Sequence, residues 1–258
     1  PEFAFACYEN PNIPQTSAVS KLREAAKSMY KIKDFELMRR WYLEGNQAAF
    51  NEVSSSNSNN RGEFGELILH LLLCDFKHTI PLISKVYFKD APGVPAHGFD
   101  AVHISPDKKI LWLGESKFYV NSKQGLGDLL NDLKDHFKKD YLEEQFTIIK
   151  KNLKSNEIPQ RNEWITILNN CNRLKDRIRM INIPMLCTYP HDIYERYFDF
   201  ECDEAIRYHE ANIRELKRYF DDHNDCALKN SLLFLFPIKN KQELVRKLHE
   251  RLWHMQEM

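Results

Sequence analysis

Phe99-Asp-Ala-Val-His-Ile104 and Ile110-Leu-Trp-Leu-Gly114 are two apolar runs on either side of Ser105-Pro-Asp-Lys-Lys109. Pro and Asp in tandem are turn chemistry, so the two runs read as adjacent antiparallel strands of a hairpin. The second run continues through Glu115-Ser-Lys117 into Phe118-Tyr119. A strand that apolar is a central one, covered on both faces. Charges inside it are costly unless they have work. Whatever fold forms must therefore accommodate two buried charges, with Asp100 facing them across the hairpin.

Side chains alternate along a strand, so Glu115 and Lys117 share a face with Leu113, while Gly114 and Ser116 point the other way. Asp100 and Glu115, converging from neighbouring strands, make an all-oxygen pocket. Such a pocket suits a hard divalent cation such as magnesium or manganese, which keeps several waters and needs only one or two carboxylates from the protein. Lys117 beside it can orient or help deprotonate a metal-bound water, or neutralise charge developing on a phosphoryl group. Loss of one such electrostatic contact typically costs ~10²-fold or more in rate. This is the chemistry of phosphodiester hydrolysis. Read as bare spacing, the same residues describe a solvated strand face of alternating charge; the apolar setting of the strand argues for the first reading.

The surrounding elements follow in order. Arg61-Gly-Glu-Phe-Gly-Glu66 leads into Leu67-Ile-Leu-His-Leu-Leu-Leu73, a helix apolar nearly all round, with Glu63, Glu66 and His70 on one stripe. A carboxylate near its N-terminus either complements the helix dipole or leans over the metal site as a third acidic group, and Glu66, further into the helix, is the better placed of the two. A strand is expected near Ile80 to Phe88. After Glu115-Ser-Lys117, Leu126, Leu129, Leu130, Leu133 and Phe137 recur at helical spacing, so a helix is expected from about Gln124 to Lys138. Ile181 to Thr188 and Ser231 to Phe236 read as strands, the latter as a buried one. Lys21 to Met29, Phe35 to Tyr42, Tyr141 to Leu153, Arg161 to Ile178, Asp192 to Phe220 and Lys239 to Trp253 read as helices. The polar stretch Asn51 to Asn60 reads as a linker.

On these residues and this order of elements the chain resembles the PD-(D/E)xK, or restriction-endonuclease-like, superfamily. More narrowly, Gly98-Phe-Asp-Ala-Val-His103, Leu111-Trp-Leu-Gly-Glu-Ser-Lys-Phe-Tyr119 and the Gly125-to-Phe137 helix resemble the DUF1837 type of domain, the HamA nuclease family of the Hachiman anti-phage defence system. Residues 61 to 140 carry the resemblance. It implies a mixed α/β fold, with a small mixed central sheet flanked by helices. Residues 1–60 would form an N-terminal helical region and polar linker, and residues 61–258 a nuclease core with C-terminal helical elaborations. It also implies a magnesium- or manganese-dependent deoxyribonuclease working with a superfamily 2 helicase partner, HamB. Asp100 and Glu115 would be metal ligands and Lys117 the catalytic lysine; Glu66 is the candidate third acidic group from its place on the helix, beside the helix-dipole reading. The first acidic residue follows Gly-Phe and not a literal Pro, a common departure within the superfamily.

Composition sets limits on partners. Lys plus Arg and Asp plus Glu each number 37, so no global positive field draws the chain to phosphate. DNA must come either to a local basic surface around Lys134, Lys138, Lys139, Lys150, Lys151 and Lys154, or by delivery from a helicase. The competing reading of those lysines, and of Arg207, Arg214, Lys217 and Arg218, is the wet side of helices interleaved with acids. The six cysteines are scattered, without a C-x-x-C pair or Cys-His ligand spacing, and read as reduced thiols. His97 and His103 flank Asp100, but His103 should point to the opposite sheet face. No run approaches the ~18 apolar residues of a membrane span, and a cytoplasmic location is expected. Two other functions use the same residues: a catalytically quiet DNA-binding or regulatory subunit that keeps the fold, and a structure-selective or RNA-directed nuclease.

Overall fold

A computed structural model of the chain describes residues 32–49, 51–52, 62–84, 98–105, 107–155, 160–170, 178–225 and 230–256. One sheet, in the order β1-β2-β3-β4-β5, organises them. Its strands are β1 (Ile80–Ser84), β2 (Ala101–Ser105), β3 (Ile110–Phe118), β4 (Ile181–Pro190) and β5 (Ser231–Ile238). The sheet is mixed. β1, β2 and β3 form an antiparallel meander, whereas β3, β4 and β5 run parallel. Parallel neighbours need crossover connections, and helices supply them: α3 (Ser122–His136), α4 (Lys139–Ser155) and α5 (Arg161–Asn170) between β3 and β4, then α6 (Ile193–Arg196) and α7 (Asp203–His223) between β4 and β5. Helix α1 (Ile32–Glu44) and helix α2 (Glu63–Lys77) precede the sheet, and α8 (Lys241–Gln256) follows it. The expected mixed α/β architecture with flanking helices is the one observed.

The hairpin register pairs Ala101 with Gly114 and Ser105 with Ile110, which sets Asp100 opposite Glu115. From that register the two faces of β3 separate. Leu111 and Leu113 enter the main core with Val102, Ile104 and the α3 residues Leu126, Leu129, Leu130 and Leu133. Trp112 and Ala101 enter a second core against Leu69, Leu72 and Leu73 of α2. A third joins α1, through Leu37 and Met38, to Phe64, Phe118 and Val245 of α8. Lys241, at the start of α8, is buried; its ammonium donates to the Phe118 carbonyl at 2.6 Å, and burial lowers its pKa.

Gly114 is required by close approach. A Cβ there would lie 2.9 Å from Leu69 Cδ2 and 3.1 Å from Pro184 Cγ. Pro184 sits inside the central strand β4, where it offers no N–H, and the β3–β4 pairing, interrupted after Trp112 with Asn182, resumes at Glu115 with Met185. The residue just ahead of Glu115 is thus the one that lets a helix and a proline ring press on the strand from its α2 face.

Between α2 and β2 lies a fully buried histidine pair. Thr79 Oγ1 and His103 Nδ1 are 2.8 Å apart, and His103 Nε2 and His70 Nδ1 are 2.5 Å apart. The remaining His70 nitrogen, Nε2, is buried without a hydrogen-bond partner among the described residues. Burial pushes His70 down to about 4, against the opposing effects of the Asp100 backbone and charge; burial and then His70 hold His103 well below its usual range. His103 points away from the Glu115 face, as expected.

Two sequence expectations change in detail. β5 is an edge strand with half-exposed side chains, not a fully buried one, because among the described residues no further strand covers its outer side. The long helix expected from Asp192 to Phe220 is broken into α6 and α7. Tyr197 and Cys202 are extended at the break, and the Asp199 carboxylate accepts from the Glu201 amide at 2.9 Å, a local side-chain bond that competes with helix. The helix expected from Arg161 to Ile178 is described only as α5 and at 178–179, since 171–177, like Lys21 to Met29, His97 and Lys85 to Phe88, lie outside the described residues.

Two outcomes are expected. Acidification from pH 7 to pH 4 lowers the unfolding free energy, because the unfolded chain takes up protons near pH 6.5 that the folded His70 and His103 refuse. The slope reaches about 1.4 kcal/mol per pH unit for each imidazole. Denaturant melts across this range should show a shallower slope in His70→Gln/His103→Gln. Gly114→Ala should lower stability by about 1–3 kcal/mol in urea denaturation, the usual cost of overpacking.

Candidate active site

The residues that carry chemistry meet on the α3 face of β3. Asp100 and Glu115 are 5% and 2% exposed, and Lys117 is half-buried. Asp100 stands one residue ahead of β2, where its carboxylate takes the next rung of the hairpin. Its Oδ2 accepts from the Ser116 amide and from the Ser116 hydroxyl, both at 2.9 Å. Glu115 Oε1 accepts from His136 Nδ1 at 2.6 Å. The Lys117 ammonium is ion-paired with Asp132.

Electrostatics show that these groups act on one another. Burial by itself would lower the Lys117 pKa; the hydrogen bond and charge of Asp132, joined by the fields of Asp100 and Glu115, outweigh burial and hold the ammonium above its ordinary value. Both carboxylates therefore reach the same cation, which stays protonated at neutral pH.

Helix α3 supplies the partners. Its N-cap is Asn121, whose side chain accepts from the Gln124 amide at 3.0 Å. Gly125 then permits close contact with the sheet, since a Cβ there would lie 3.0 Å from Cys187 Sγ and 3.4 Å from Tyr119 Cβ. Below it, Asp128 accepts from the Tyr119 hydroxyl; this bond first, then burial, raises the Tyr119 pKa. The His136 ring is fixed by stacking on Tyr141, with centroids 4.4 Å apart and planes 4° apart, and by the edge of Phe99 at 5.4 Å. Phe99 is the neighbour of Asp100, so the same aromatic group borders both carboxylate positions.

Asp100, Glu115 and Lys117 are brought together as the hairpin pattern requires. Glu66 sits half-buried in the first turn of α2, beside Gly65, whose Cβ position lies 3.4 Å from Ser116 Oγ. That helix covers the opposite face of β3 from Glu115, and among the described residues no group of three or more His, Cys, Asp and Glu gathers closely enough to hold a metal ion. The donor set nonetheless fits a water-rich hard cation: two buried carboxylates on adjacent strands, oxygen only, beside a fixed ammonium. Ser116, Tyr119, Asp128, Asp132 and His136 are the participants that the strand pattern did not single out. The signal for the helical ones was present, as Asp128, Asp132 and His136 recur every four residues between the apolar positions of α3.

Five of the ten basic residues considered for DNA contact lie in ion pairs. Lys134 meets Asp225 at 3.0 Å and Lys138 meets Asp135 at 2.7 Å. Arg207 meets Glu204, Arg214 meets Glu210 and Lys217 meets Asp221. Cys74, Cys187 and Cys202 are free thiols. Among the described residues no helix is long and apolar enough to cross a membrane.

Comparison with known proteins matches the chain to the family model HamA over residues 4–252 of its 258 residues. No curated protein and no solved structure matches. Ser116→Ala, which removes the hydroxyl but leaves the amide on Asp100 Oδ2, should lower stability by about 0.5–1.5 kcal/mol in denaturant melts with chelator present.

Proposed function

The chain belongs to the HamA family of Hachiman anti-phage defence, and on that premise we propose that it is a metal-dependent DNA nuclease, the effector subunit of a helicase–nuclease complex. The observation that carries this reading is the hairpin register that sets Asp100 opposite Glu115, two residues before Lys117, in a buried strand. Asp100 and Glu115 would hold a magnesium or manganese ion, which when bound polarises the phosphodiester and lowers the pKa of a coordinated water. Asp100 is fixed for that task by Ser116 and Glu115 by His136. Glu66, in the first turn of α2 near Ser116, would be the additional acidic group of the site.

Lys117 has the role its charge state dictates. A lysine held above its ordinary pKa is a poor base at neutral pH, so it stabilises negative charge on the phosphoryl oxygens and orients the attacking water. The proton lost by that water goes to solvent or to a neighbouring carboxylate. The balanced charge of the chain, with several of its basic residues engaged in ion pairs, fits delivery of DNA by a superfamily 2 helicase partner, HamB, better than independent capture. A cytoplasmic location goes with that substrate.

One observation favours a second reading, the quiet DNA-binding or regulatory subunit: Glu115 and Lys117 already have counter-groups in His136 and Asp132. The variants Glu115→Ala and Lys117→Ala separate the two. Each should lower magnesium-dependent DNA cleavage ~10²-fold or more with the circular dichroism spectrum retained, and chelator should stop the wild type. Undiminished cleavage in both variants removes the nuclease proposal. Undiminished phage protection after Glu115→Ala selects the regulatory one. A panel of duplex DNA, single strands, junctions and RNA separates a general deoxyribonuclease from a structure-selective or RNA-directed one.

A further inference from the structure

The polar stripe of α3 repeats every four residues, and the polar side chains of β3 that it meets repeat every two. Asp128 takes Tyr119, Asp132 takes Lys117, and His136 takes Glu115. Four residues of helix rise about 6.0 Å and two of strand about 6.6 Å. A helix running back along a strand therefore stays in step over three successive pairs, without distortion of either element.

Packing alone does not ask for this. The leucines at 126, 129, 130 and 133 already dock α3 on the sheet, and Asp132 and His136 could have been apolar or turned to water. They instead face the two buried charges that the strand carries. The His136 ring is locked by Tyr141 and Phe99, so its Nδ1 proton has one direction to point. A carboxylate that accepts a hydrogen bond on one oxygen can bind a cation through the other, and such outer-shell partners fix ligand geometry.

We propose that Asp132 and His136 are positioning residues of the nuclease site: Asp132 holds the Lys117 ammonium at the reacting phosphate, and His136 sets the rotamer of Glu115 for the divalent cation. Asp128 extends the same ladder to Tyr119 and steadies the end of the strand. These roles rest on the nuclease reading of Asp100, Glu115 and Lys117. Asp132 and His136 need touch neither substrate nor metal; they act through Lys117 and Glu115.

The test uses the full chain and reads three quantities: Mn²⁺ affinity by electron paramagnetic resonance, kcat and KM on duplex DNA with the proposed helicase subunit included, and Tm. His136→Ala should weaken Mn²⁺ binding by ~10-fold or more, and His136→Gln, which restores an N–H donor, should recover most of it. Asp132→Ala should leave Mn²⁺ affinity within about twofold while kcat falls ~10²-fold at nearly constant KM, with partial recovery in Asp132→Glu. Should an alanine variant fail to fold, the Gln and Glu variants carry the comparison against wild type, whose values they should approach. Wild-type Mn²⁺ affinity and kcat in both alanine variants overturns the positioning roles and leaves the nuclease reading standing. So do losses that track Tm and are not restored by Gln or Glu. A wild-type chain that binds no Mn²⁺ overturns the nuclease reading first and the positioning roles with it.

Discussion

The buried charge of β3 is the constraint on which the rest of the structure depends. Glu115 and Lys117 lie in a strand hydrogen-bonded on both sides and packed by helices on both faces, where an unpartnered ion would be strongly destabilising. Asp132 and His136 answer that demand from one helix, and Asp100 adds its field from the neighbouring strand. The packing of α3 on the sheet and the electrostatics of the site are therefore a single arrangement. The leucines of α3 hold the helix down, and its polar stripe determines which register can be held without leaving a charge exposed to hydrocarbon.

The two faces of β3 divide the work. On the α2 face Gly114 and Ser116 present little bulk, so a helix and a proline ring can press close, while Phe118 packs against α8. The same face contains the neutral histidine pair that links α2 to β2 just below Asp100. On the α3 face the residues that alternate with them carry the carboxylate and the ammonium. Ser116 bridges the two sides, since its backbone and hydroxyl hold Asp100 although its side chain belongs to the α2 face. A rigid, tightly packed back surface is what allows the front surface to keep charged groups in fixed positions.

Surface charge follows a different rule. Basic side chains at the end of α3 and on α7 lie among acids three or four residues away or on adjacent elements, and several are paired with them. Exposed pairs of this kind contribute little stability, but they cancel long-range fields. For the proposed nuclease this leaves recognition of DNA to local geometry and to a partner that brings the strand.

The sequence by itself determined the hairpin, the shared face of Glu115 and Lys117, the burial of the helix before them and the order of elements, because alternation, helical spacing and turn chemistry are local properties of the chain. The Asp100–Glu115 apposition belongs to the same class, since a short turn fixes hairpin register. Tertiary structure alone decided what those charges meet. That Asp132 finds Lys117 and His136 finds Glu115 depends on the direction in which α3 crosses β3, and nothing within either segment specifies a crossing. The break between α6 and α7 and the edge position of β5 have the same origin: a single side chain bonding its own loop overrides helix-forming residues, and a strand's exposure is set by whether another strand lies beside it.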